Sequence, residues 1–104
     1  MQIVIVQSDA RAPAAKLAEA EIHFDTEPML EGLKLVGFTV WQSTLGDGEY
    51  VTGPSRDYID REGAKKYFQF LRSVEYLKGQ EKENPAIRAL KDRVLQAYYD
   101  SQSA

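Results

Sequence analysis

Residues 33–42 read LKLVGFTVWQ, and the reading of this stretch decides the fold. β-Branched and aromatic side chains dominate it, which marks a strand. Gly37 sits in its middle without a side chain to pack, so a bulge or bend is expected there. The segment after it, Leu45-Gly46-Asp47-Gly48, has the residues of a tight hairpin loop. A second strand, Glu49 to Thr52, follows, and Gly53-Pro54 stops it because proline cannot donate to a sheet ladder. Two consecutive strands joined by a short loop make an antiparallel sheet, and the rest of the chain is read as additions to it.

Upstream, residues 16–25 alternate. Ala18, Ala20, Ile22 and Phe24 fall on one side, and Glu19, Glu21, His23 and Asp25 on the other. Such a period of two, with a charged outer face, predicts a half-buried antiparallel strand. Thr26-Glu27-Pro28 closes it. The first run, QIVIVQ over residues 2–7, reads as a strand buried on both faces. Downstream of Pro54, residues 56–59 are expected as an edge strand and Asp60-Arg61-Glu62-Gly63 as a second hairpin turn. Residues 64–71, AKKYFQFL, form its return strand. Val74 and Tyr76 suggest continued strand, and the KGQEKE segment reads as a solvated loop.

Asn84-Pro85 announces a helix, since asparagine caps well and proline suits the first helical position. Ile87, Leu90, Val94, Ala97 and Tyr98 then recur at spacings of three and four, which gives one apolar stripe. The expectation is an α+β domain over residues 1–104. Five or six mostly antiparallel strands precede one C-terminal helix over residues 85–100, and residues 101–104 are a frayed tail.

The chain has 104 residues, 43% hydrophobic and 28% charged, which suits one domain with a single core. It contains no cysteine, which removes disulfides, thiolate nucleophiles and cysteine-based metal sites. One histidine leaves no Ser-His pair with a third member. No GxGxxG or Gly-rich loop ending in Lys-Ser/Thr is present, so no phosphate cradle is expected. Glu21-His23-Asp25 lie on one strand face and could share a metal; a solvated sheet face is the plainer reading. No cofactor is expected. Neither a signal peptide nor an apolar run of membrane-spanning length is read, so a cytoplasmic location without membrane contact is the expectation.

Net charge is −3, yet its distribution is uneven. Residues 1–48 carry three basic and seven acidic side chains; residues 49–93 carry ten basic and eight acidic. Arg56, Tyr58, Arg61, Lys65, Lys66, Tyr67 and Arg72 cluster in and around the second hairpin. Alternation puts Lys66, Phe68, Phe70 and Arg72 on one face and Lys65, Tyr67 and Gln69 on the other. The phenylalanines mark the first face as core, so the second faces outward. Phe38 and Trp41 are likewise read as core. Cations beside an exposed tyrosine suit phosphate contact and base stacking. An ordinary charged hairpin that keeps an edge soluble would look the same.

An ordered set of short motifs adds to this reading. Gly48, Tyr50 and Val51 lead to Pro54-Ser55-Arg56. Asp60 and Gly63 follow, then Tyr67 and Phe68, and last Val94-Leu95-Gln96-Ala97-Tyr98. With AEIHFD at residues 20–25 and the strand at 33–41 before them, the chain resembles the SpoVG family of bacterial septation and regulatory proteins. The resemblance implies a small α+β protein that forms homodimers, binds DNA or RNA as a non-enzymatic regulator, and is linked to division-septum control. On that reading Arg56, Arg61, Lys65, Lys66 and Arg72 supply phosphate contacts, with Ser55 beside them. Tyr58 and Tyr67 stack on bases, and Arg88 and Arg93 extend the surface along the helix. The alternative is a protein–protein interaction module that docks through a sheet edge or the helix stripe.

Overall fold

The computed structural model describes residues 1–9, 11–74 and 84–103. The chain order is β1 (Gln2–Gln7), β2 (Lys16–His23), β3 (Lys34–Gln42), β4 (Glu49–Thr52), β5 (Ser55–Ile59), β6 (Lys65–Gln69) and α1 (Pro85–Ser103). All pairings are antiparallel. β1 to β4 form one sheet in sequence order, and β5 pairs with β6 in a separate two-stranded ribbon. The fold is α+β, as expected.

The four-stranded sheet has one packed face. Alternation in β2 buries Ala18, Ala20 and Ile22; opposite them lie Val40, Phe38 and Leu35 of β3. Val51 of β4 pairs with Val40 and extends that face. The helix packs against β1, β3 and β4, with Val94 fully buried and Leu90, Leu95 and Tyr98 packed on the same core. Each fully buried side chain of this size contributes roughly 1.5–3 kcal/mol. The Asn84 cap forms as expected, its Oδ1 accepting from the Ala86 N–H at 2.8 Å. The helix continues to Ser103, past residue 100 and through most of the stretch read as a tail. The second hint of strand, at Tyr76, and the KGQEKE loop lie outside the described residues.

Gly37 carries the expected bulge. Ala20 pairs with Phe38 but Ile22 pairs with Leu35, so Val36 and Gly37 together face Glu21. Gly37 has φ +110°, and a Cβ there would stand 2.9 Å from the Cβ of Pro54. Pro54 itself is buried. The bulge thus clears the space in which the chain leaves β4 and enters the ribbon.

Two expectations about the core are corrected. β1 is not buried on both faces; it is the edge strand of the sheet, with Ile3 and Ile5 turned to the core and Val6 38% exposed. Trp41 lies on the face opposite Phe38 and Val40, half-buried, where its Nε1–H donates to Thr52 Oγ1 at 2.9 Å.

Candidate nucleic-acid interface

The ribbon begins where Pro54 ends β4. Its turn is built by Asp60 and Gly63. Asp60 Oδ1 accepts from the N–H groups of Glu62 and Ala64, and Gly63 takes φ +82°, which glycine adopts without strain. The register sets Arg56 opposite Phe68, Tyr58 opposite Lys66, Asp57 opposite Tyr67 and Ile59 opposite Lys65. Opposed residues share a face, so the ribbon sorts its side chains cleanly. One face carries Arg56, Tyr58, Lys66 and Phe68. The other carries Ser55, Asp57, Ile59, Lys65, Tyr67 and Gln69.

Every residue of both strands is exposed. This overturns the assignment of Phe68 and Phe70 to the core: they are 43% and 57% exposed and touch edge to face, ring centroids 5.8 Å apart. A sheet face is buried only if another layer covers it, and the helix packs on the larger sheet instead. The sequence held a signal of this outcome. A core face does not ordinarily carry Lys66 and Arg72 on either side of its phenylalanines.

The two faces differ electrostatically. On the Ser55 face, Lys65 Nζ lies 3.4 Å from Asp57 Oδ2 and 5.7 Å from the centre of the Tyr67 ring. The Asp57 carboxylate, with a smaller contribution from Tyr67, holds the Lys65 ammonium above the ordinary lysine pKa. That cation is locally neutralised. Among the described residues no strand residue on the Arg56 face is acidic. Lys66 reaches only the turn residue Asp60, at 4.0 Å, and Arg56 has no carboxylate partner among the described residues. Arg72, beyond the strand end, places its guanidinium 5.2 Å from the Phe68 ring centre. Cations and aromatic rings therefore alternate on one surface, a geometry that suits a phosphate chain with unpaired bases.

The remaining sequence-predicted residues are not gathered there. Arg61 sits at the exposed turn. Arg88 and Arg93 are exposed on α1, and Arg88 pairs with Asp92 at 3.3 Å. Sequence reasoning chose Tyr67 over Phe68 and Phe70 as the aromatic neighbour of the cations; the register brings Phe68 beside them as well.

Glu21, His23 and Asp25 do not converge. Glu21 Oε1 meets His23 Nε2 at 2.9 Å and its other oxygen meets Lys34 Nζ at 3.2 Å; these contacts, His23 first, hold its carboxyl below the ordinary glutamate pKa. Asp25 Oδ1 instead accepts from the Met1 ammonium at 2.6 Å. No cluster of three or more His, Cys, Asp or Glu side chains with metal-binding geometry occurs among the described residues. No described helix is long and apolar enough to cross a membrane. Comparison with protein-family models, with curated proteins and with solved structures returns no match to this chain.

Proposed function

We propose that the chain is a non-enzymatic regulator that binds single-stranded DNA or RNA on the Arg56 face of the β5–β6 ribbon, acting as a homodimer. One observation carries the binding reading: Arg56, Tyr58, Lys66 and Phe68 share an exposed face on which the two strands place no acidic residue. Phosphates contact Arg56, Lys66 and Arg72, and unstacked bases lie on Tyr58, Phe68 and Phe70. The likeness to SpoVG motifs supports the regulatory role and the homodimer. Lys65 and Tyr67 belong to the neutralised face and contribute less. Arg61 adds charge at the turn, and Arg88 and Arg93 act only at long range.

Binding of this kind is weak and falls as salt rises, with a slope of about 0.7 per phosphate neutralised on a single strand. Fluorescence anisotropy with a labelled mixed-sequence oligonucleotide at two salt concentrations measures it. Arg56→Glu with Lys66→Glu removes binding and leaves the melting temperature in place. Lys65→Glu on the other face has a small effect. Equal losses from both faces contradict the assignment.

A second reading has its own support. Ile59, Tyr67 and Phe70 are each more than half exposed on a ribbon whose strands, among the described residues, pair only with each other. Strand addition by a protein partner would cover them. An oligonucleotide that fails to bind at low salt, with no change on Arg56→Glu, moves the reading to a protein partner.

A further inference from the structure

Among the described residues the larger sheet has two unpaired edges, and they are not alike. β4 offers only Glu49–Thr52, is stopped by Gly53-Pro54, and has its Glu49 carboxylate held by the Tyr99 hydroxyl at 2.9 Å. A short strand with a charge and a proline is a guarded edge. β1 offers six residues without charge, proline or bulge, and its register with β2 runs unbroken from Gln2↔His23 to Gln7↔Ala18. Its other edge pairs with nothing among the described residues. None of the usual devices that keep sheet edges apart is present on it.

The same strand is fitted to itself. QIVIVQ has glutamine at each end and alternating isoleucine and valine between. Two copies of a strand related by a two-fold axis through the sheet stay on the same faces, so facing residues must be both odd or both even in number. An axis at Val4 meets this condition. It sets Val4 opposite Val4 of a second copy on the outer face. It also sets Ile3 opposite Ile5 of that copy on the helix-covered face, where both already pack at the core margin. These facing pairs are β-branched against β-branched, the combination that stabilises antiparallel neighbours. No like charges meet along the seam. The acidic residues of the outer face lie one strand back, where Glu19 and Glu21 are paired with Lys16 and Lys34.

We infer that β1 is the homodimer surface: a second copy of this chain adds its own β1 antiparallel, centred on Val4, and joins two four-stranded sheets into one. The inference names the interface of the dimer in the reading above and rests on the edge itself, independent of nucleic-acid binding. A particle of this form carries two ribbons related by the same axis.

Sedimentation equilibrium and single-cysteine cross-linking test it, and the natural absence of cysteine makes the second clean. The unaltered chain is expected at twice 11.8 kDa. Val4→Lys, at a half-buried position on the outer face of the edge strand, is expected at half that mass with an unchanged helical circular dichroism spectrum. Its binding per chain at saturating oligonucleotide stays intact, whereas Arg56→Glu with Lys66→Glu leaves the dimer and removes binding, so the two ideas fail separately. Mild oxidation of Val4→Cys gives a disulfide-linked dimer, and Val6→Cys, which faces Gln2 of the second copy, gives none. A chain that sediments as a monomer overturns the inference. So does a dimer that survives Val4→Lys, or cross-linking equal at positions 4 and 6. If Val4→Lys does not fold, the cross-linking pair alone decides.

Discussion

β2 and β6 are both antiparallel strands with alternating character, yet one builds the core and the other buries nothing. β2 has sheet neighbours on both sides and a helix over its apolar face, so Ala18, Ala20 and Ile22 are shut from solvent. Among the described residues β6 has one neighbour and no layer above or below, so Phe68 stays exposed beside Lys66. Alternation fixes which residues share a face; it does not say whether anything covers that face. An isolated two-stranded ribbon is marginally stable in water, so this one depends on its attachment to the packed sheet. The attachment is specific. Pro54 is buried against Gly37, and its carbonyl accepts from the Phe70 N–H at 2.9 Å.

The largest expected effect separates the two regions by aromatic truncation. Phe38→Ala leaves a cavity at a fully buried site and costs about 3–5 kcal/mol in chemical denaturation. Phe68→Ala costs much less, about 1 kcal/mol, since the side chain is 43% exposed and its removal leaves no closed cavity, only the loss of contacts such as those with Phe70 and Arg72. Comparable losses at the two positions would mean the ribbon is part of the core after all.

A smaller effect tests the joint. Gly37→Ala forces a side chain into a φ of +110° and against Pro54, at a cost of about 1–3 kcal/mol. Gly46→Ala also meets a positive φ but open space, and costs about 1 kcal/mol. The oligonucleotide affinity of Gly37→Ala falls as well, because Pro54 must shift and the ribbon moves with it. Equal stability losses at 37 and 46, with binding unchanged, would show that the joint does not position the ribbon.

The smallest effect is on the solvent face of the packed sheet. Contacts with His23 and Lys34 lower the Glu21 pKa in the folded chain. The unfolded chain therefore binds its proton first as pH falls. The stability from these contacts is fully present above the unfolded value, about 4.3, and is lost as pH drops through the lower folded one. Melting temperatures of Glu21→Gln are expected to decline less steeply below pH 4 than those of the unaltered chain. Superimposable acid declines would remove Glu21 from the account.

Much of this architecture was legible in the sequence because its signals were local. The Gly37 bulge, the Asp60–Gly63 turn and the Asn84 cap each follow from a residue type that one backbone geometry requires. The errors arose where neighbours in space decide. QIVIVQ looks like a central strand by composition but is an edge, since its apolar character says nothing of how many strands flank it. Trp41 sits one residue from Val40 and so faces the other way, which strict alternation from Phe38 would have given. At the candidate site the cations were legible and their sorting was not. That sorting depends on the pairing of β5 with β6, which sets Lys65 near Asp57 and leaves Arg56 without a carboxylate partner among the described residues.

Amide hydrogen exchange, resolved by residue with and without a single-stranded oligonucleotide, tests most directly the claim that an uncovered ribbon rides on a packed sheet and is covered by its ligand. Amides of β2 and β3 should exchange slowly and be indifferent to the oligonucleotide. Those of β5 and β6 should exchange faster by orders of magnitude in the free chain and slow on its addition. Ribbon amides already as protected as those of β2, or left unchanged when the oligonucleotide is present, would contradict the account.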